Sequence, residues 1–167
     1  SKPPVEVGST EYQKSPRYGI CEANAKQGAS GQSDALTTTT GITYSLRTPA
    51  NYDPTRRHPL LIIFPPAGHN RFASEAFSKL TLPATQFGFI VAYPDHRPLN
   101  LERIRAFKTL PQEIAADWCI AGSEVSVTGH SDGGTVATAL SVLPETRGMV
   151  KALAASAAGM TDQDLNN

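Results

Sequence analysis

Gly129-His130-Ser131-Asp132-Gly133 sets a serine between two glycines in the spacing G-x-S-x-G. A serine hydroxyl is a poor nucleophile unless it is held clear of the backbone and bonded to a base. The residues before it, Val125 to Thr128, read as a strand. Those after it, Gly133 to Leu143, set Val136, Leu140 and Leu143 on one helical face, closed by Pro144. A sharp strand-to-helix turn would force Ser131 into strained backbone angles, with the glycines letting neighbouring backbone pass. The start of the helix would favour negative charge forming nearby. Acyl transfer also needs N–H donors for an oxyanion. The N–H of Asp132 is the first candidate. The second is expected from the loop Pro65-Pro66-Ala67-Gly68-His69-Asn70, where the prolines have no N–H and Ala67 is the first backbone donor.

The base is harder to find. The histidines are His58, His69, His96 and His130, and none follows Ser131. His58 precedes its strand and is expected at the wrong edge of the sheet. His130 adjoins Ser131, where neighbours point apart, and is expected to be a packed, hydrogen-bonded residue. His69 and His96 each follow a strand and are the candidates for a base. Asp162 follows the last candidate strand and is the candidate acid, whereas Asp95 is expected to be a turn residue. Cys21 and Cys119 are too far apart in sequence for metal-ligand spacing. They form either a disulfide or two buried thiols. A bridge would close a long loop and contribute about 4 kcal/mol in the entropy model. No metal or cofactor is implied.

These residues need elements to position them. Residues 1 to 40 are polar, and Ser30 to Ser33 and Thr37 to Thr40 read as loop or edge-strand material. Gly41 to Thr48 alternates Ile42, Tyr44 and Leu46 as a strand does. Leu60 to Phe64 and Phe89 to Tyr93 are continuous apolar runs, expected of strands covered on both faces. Ser74 to Phe87 predicts a helix interrupted at Pro83 and ended by Gly88. Leu99 to Phe107 is ambiguous, Pro111 to Trp118 predicts a helix, and Val150 to Ala158 predicts a strand or a helix. Alternating strands and helices imply right-handed crossovers and an α/β fold with a mostly parallel, doubly wound sheet. Sites in such sheets gather at the carboxyl ends of the strands. That rule draws Pro65 to Asn70, Asp95 to Pro98, Gly129 to Gly133 and Gly159 to Asp164 together.

The chain has 167 residues, 40% of them hydrophobic, with 15 Lys+Arg against 15 Asp+Glu. That suits one domain with a real core and gives no electrostatic footprint for nucleic acid or an anionic membrane. No apolar run is long enough to span a bilayer. The chain begins without Met, which suggests a processing boundary and a secreted or periplasmic location.

Three stretches, LLIIFPPAGHN, GFIVAYPD and WCIAGSEVSVTGHSDGG, resemble the α/β-hydrolase fold, and more closely secreted esterases of the feruloyl esterase and polyhydroxybutyrate depolymerase type. The resemblance covers most of Gly41 to Gly159. It implies ester hydrolysis with Ser131 as nucleophile, Asp132 and Ala67 as backbone oxyanion donors, and a small-molecule or polymer-linked ester as substrate. In that family a His-Gly pair precedes the oxyanion residue; here the pair is Pro65-Pro66. Cys119 falls near a cysteine often bridged in such enzymes, which supports a bond to Cys21. The family's triad runs Ser, then Asp or Glu, then His, and its last two strands have no counterpart here. The organisation expected is a polar extension over 1–40 packed on a core over 41–167 that lacks its last strands. A second polypeptide segment would then supply the acid and histidine. Two other accounts of the missing base are a hydrolase-like protein that binds without catalysis and a small enzyme with an unusual base.

Overall fold

The computed structural model describes residues 5–156. Six strands form one sheet: β1 (Gln32–Thr37), β2 (Thr43–Arg47), β3 (His58–Phe64), β4 (Ile90–Pro94), β5 (Ile120–His130) and β6 (Ala152–Ser156), in the order β1-β2-β4-β3-β5-β6. β3 runs parallel to β4 and β5, and β5 parallel to β6, while β2 is antiparallel to both β1 and β4. The sheet is therefore α/β and mostly parallel, as the alternation of elements implies. The helices are α1 (Arg71–Ser78), α2 (Thr81–Gln86), α3 (Leu101–Ala106), α4 (Leu110–Asp117) and α5 (Asp132–Val142).

Side chains alternate across a strand, so each apolar run feeds two cores. Leu60, Ile62 and Phe64 of β3 join Ile90, Ala92, Val125 and Val127 on one face, packed against Ile104, Leu110, Ile114, Val136 and Leu140 from α3, α4 and α5. Leu61, Ile63, Val91 and Tyr93 point to the other face, with Ala84 of α2 and the nearby Leu80. This two-sided burial explains why the two runs show no polar alternation.

Some boundaries differ from the sequence expectation. The helix over 74–87 is two helices, and the break falls at Lys79, whose φ of 56° is left-handed, rather than at Pro83. Pro83 sits in the first turn of α2, where its missing N–H removes no helical hydrogen bond. The ambiguous stretch after Leu99 becomes α3, started by the Asn100 side chain, which accepts from the Arg103 N–H at 2.8 Å. β5 begins earlier than Val125, because Gly122, Ser123 and Glu124 continue it with polar side chains that hide the strand.

β1 is an edge strand of the main sheet, so the sheet begins at residue 32. Before it, the chain crosses the molecule and is tied down at intervals. Gly8 N–H donates to Thr85 Oγ1 at 2.7 Å, Thr10 N–H to Asn51 Oδ1 at 2.9 Å, and Trp118 Nε1–H to the Ala29 carbonyl at 2.9 Å. Cys21 and Cys119 form a disulfide, with their Cα atoms 6.1 Å apart.

His58 lies beside that bridge, far from the carboxyl edge, and is only 2% exposed. Its Nδ1 is 3.1 Å from the Cys119 carbonyl, which can only accept, so Nδ1 carries the hydrogen. Its Nε2 lies 2.9 Å from the Tyr12 hydroxyl, which also lies 3.0 Å from the Asn51 carbonyl. Burial pushes the His58 pKa below its ordinary value, against smaller opposing effects from the Cys119 carbonyl and Asp53. The folded value is thus below the unfolded one, near 6.5. The unfolded state binds more protons as pH falls past that value, so stability is present above it and lost through the folded pKa. Urea unfolding from pH 8 to pH 5 should show falling stability that is absent in His58→Gln. An equal slope in both proteins would assign the acid sensitivity elsewhere.

Candidate active site

The carboxyl ends of β3, β4 and β5 converge on one edge, as the topology rule requires. Ser131 is the single residue between β5 and α5, with φ 57° and ψ −119°. That conformation is strained for a residue with a side chain. It is enforced by close backbone packing on either side. A Cβ on Gly129 would lie 2.3 Å from the Gly133 carbonyl carbon, and one on Gly133 would lie 2.1 Å from the Phe64 carbonyl oxygen. Only glycine lets the end of β3, the end of β5 and the first turn of α5 meet this closely. The Ser131 hydroxyl has no hydrogen-bond partner among the described residues, and its N–H donates to the Ser156 carbonyl at 3.2 Å. Among the described residues, backbone contacts alone hold the serine in place.

Asp132 opens α5, where the first N–H groups have no helical acceptor. The loop after β3 makes a turn in which His69 N–H donates to the Pro66 carbonyl at 3.1 Å. Gly68 takes φ 77° there, which a side chain would oppose. The turn leaves the Ala67 N–H without a partner among the described residues. The loop then enters α1 through Asn70, whose side chain accepts from the Ala73 N–H at 2.8 Å. The Ala67 N–H, in the loop after β3, and the Asp132 N–H, at the first residue of α5, thus lie at the same sheet edge as the half-buried Ser131. Chemically, such an edge can bind developing negative charge beside a hydroxyl.

The candidate bases fare differently. His96 comes to the elbow, its Nε2 3.2 Å from Asp132 Oδ2, a pairing that sequence spacing does not reveal. His69 lies in the turn after β3, its Nδ1 buried and without a partner among the described residues, its ring 5.7 Å from that of Phe77. Among the described residues no hydrogen bond joins either ring to Ser131. His130 packs at 5.2 Å against Phe77 and meets Ser156 Oγ through Nδ1 at 3.1 Å, the packed role expected of it. Asp95, expected in a turn, instead lies in the irregular segment directly after β4, where its N–H still donates to the Thr43 carbonyl of β2 at 2.9 Å, and its carboxylate accepts from the Arg71 N–H at 2.6 Å and from Arg71 Nη1 at 3.0 Å. Asp162 lies outside the described residues. A cavity of about 180 Å³ opens beside the elbow, walled by Ile63, Phe64, Pro66, Phe77, Gly129 and His130. Phe77 is half exposed there, whereas Tyr93 is wholly in the core. Among the described residues no group of three or more His, Cys, Asp and Glu side chains gathers as a metal site would, and no helix is long and apolar enough to cross a membrane.

No protein-family model and no curated protein matches this sequence. Solved structures do match its fold. An esterase from the planctomycete Thermogutta terrifontis superposes with a TM-score of 0.57 at 14% identity, covering 75% of this chain and 53% of its own. An esterase from Pyrobaculum calidifontis gives 0.57 at 18%, covering 76% and 45%. A Bacteroides ovatus protein described as a dipeptidyl aminopeptidase IV gives 0.57 at 20%, covering 76% and 21%. The chain spans about half the length of the two esterases, and less of the third. At such identities the likeness speaks for fold, and one fold serves several chemistries. The strand order and these superpositions together establish that this chain has the α/β fold of such esterases, with its strand-to-helix elbow at Ser131.

Proposed function

We propose that the chain carries the nucleophile and oxyanion donors of a carboxylic ester hydrolase working through an acyl-enzyme. The observation that carries this reading is the Ser131 elbow, a strained serine with a free hydroxyl between two glycines that no larger residue can replace. Ser131 Oγ attacks the ester carbonyl carbon as its proton passes to a base. The Asp132 and Ala67 N–H groups hold the resulting oxyanion. The bond to the alcohol oxygen breaks, that oxygen takes the proton, and the alcohol leaves. Water then attacks the acyl carbon and releases the acid, restoring the serine. Esterases among the structural neighbours of the same fold support this reading.

A histidine base and its acid are proposed to come from a further segment. Two observations support this: the chain spans about half of the neighbouring esterases, and every residue of β6 is exposed at the end of the sheet. Within the esterases, the feruloyl esterase and polyhydroxybutyrate depolymerase type is the sub-group proposed, on its sequence resemblance. The Cys21–Cys119 disulfide supports a secreted or periplasmic setting. The test is labelling with a fluorophosphonate of protein that includes the base-supplying segment, followed by peptide mass mapping. A single adduct on Ser131 is expected, and a protein that only binds esters would stay unlabelled. An adduct elsewhere, or none, overturns the assignment.

A further inference from the structure

Two arginines beside the elbow are not used by the reaction described above. Arg97 follows β4 in the segment Asp95-His96-Arg97-Pro98, and Arg103 lies on α3. They share a small cleft of about 10 Å³ with Pro65, His96, Phe107 and Val136. The Arg97 Nη1 is buried there and has no hydrogen-bond partner. A buried donor of a charged group left unpaired costs more than an ordinary lost hydrogen bond. Burial, and then repulsion from Arg103, make the Arg97 guanidinium easier to deprotonate than usual, with Glu102 opposing. Asp95 also lines the cleft, but it and Asp132 are committed elsewhere. Asp95 is held by Arg71, and Asp132 faces His96. The cleft thus has two cations, one orphaned donor and apolar walls, which strengthen any charge pairing inside it.

We propose that Arg97, with Arg103, binds a carboxylate carried by the ester substrate. A carboxylate supplies the planar acceptor that a guanidinium fork matches. The cleft has room for about one water-sized group, so one carboxylate oxygen enters it and the other faces Arg103. His96 forms a wall of the cleft and is paired with Asp132, next to Ser131. The anion therefore lies close to the serine, which favours short acidic esters over long neutral ones. The ester part of this inference rests on the ester-hydrolase reading above; the anion part does not.

The test is equilibrium binding to the full chain as Ser131→Ala, which prevents turnover. Monomethyl succinate carries the carboxylate on the acyl side and acetoxyacetate on the alcohol side. Dimethyl succinate and methyl acetoxyacetate are their neutral counterparts. At least one acid is expected to bind about tenfold tighter than its neutral partner, the scale of one charge-assisted hydrogen bond. The preferred acid identifies the side of the ester that carries the charge. Arg97→Met should abolish the preference and Arg103→Gln should weaken it, with melting temperatures monitored to confirm that each variant is folded. Equal binding of acid and neutral ester, or a preference that survives both substitutions, overturns the proposal. Fluorophosphonate labelling of the parent reads the other question separately. A carboxylate preference without labelling keeps the anion site and removes the acyl-enzyme; labelling without the preference does the reverse.

Discussion

In protein that includes the proposed base-supplying segment, Ser131→Ala is expected to lower hydrolysis of p-nitrophenyl acetate by about 10³-fold or more, the scale seen when a serine nucleophile is deleted. Its melting temperature should stay within about 2 °C of the parent's, because the substitution removes a hydroxyl with no partner and costs no structural hydrogen bond. The Cβ is retained, so the strain at φ 57° is the same in both proteins. The contrast between lost activity and kept stability is the informative result. If Ser131→Ala hydrolyses the ester as fast as the parent, the turnover belongs to another group and the nucleophile assignment fails. If activity and melting temperature fall together, the serine is structural.

Glu75→Ala should destabilise the fold by about 3–5 kcal/mol, the range for a buried charge stripped of its partner. Arg47, on β2, is completely buried. Glu75, on α1, accepts from its Nε and Nη2 at 2.8 Å each. Asp34 Oδ1 lies 2.7 Å from the same Nη2, and the Leu46 carbonyl 3.0 Å from Nη1. Glu75 also accepts from Thr81 Oγ1 at 2.6 Å, and Thr81 meets the Tyr93 hydroxyl at 2.8 Å. The network thus joins β1, β2, β4, α1 and α2, and α1 is the helix entered from the loop after β3. Removing the carboxylate leaves the half-exposed Asp34 as the remaining countercharge of the guanidinium and takes one of the two side-chain partners of the Thr81 hydroxyl. Glu75→Gln keeps the shape but not the charge and should lose less. Replacing both partners, as in Arg47→Met with Glu75→Leu, should restore much of the loss, since an apolar pair leaves nothing unpaired. Urea unfolding with an unchanged m-value is the measurement. A loss below about 1 kcal/mol for Glu75→Ala would mean that Asp34 and water suffice to neutralise Arg47.

Local chemistry was legible in the sequence wherever a residue type has one main structural use. Gly129 and Gly133 announce the elbow around Ser131 because only glycine tolerates that backbone approach. The runs over 60–64 and 89–93 announce buried strands because only strands covered on both faces need unbroken apolar side chains. Pro65 and Pro66 direct attention to the Ala67 N–H because they have none themselves. The open side of the question was legible too, since no histidine follows Ser131. Side-chain pairing across the fold was decided only by tertiary structure. Nothing in the spacing of His96 and Asp132, or of Arg47 and Glu75, predicts their contacts, because each pair is joined only once the strands are ordered in the sheet and α1 and α5 are packed upon it. The same holds for Lys79, whose left-handed conformation splits a helix that Pro83 was expected to break. Arg97 lay within the segment marked for the carboxyl edge, yet its meaning depends on a buried and unpaired Nη1. That is a property of packing, and packing is where identical residue types acquire different roles.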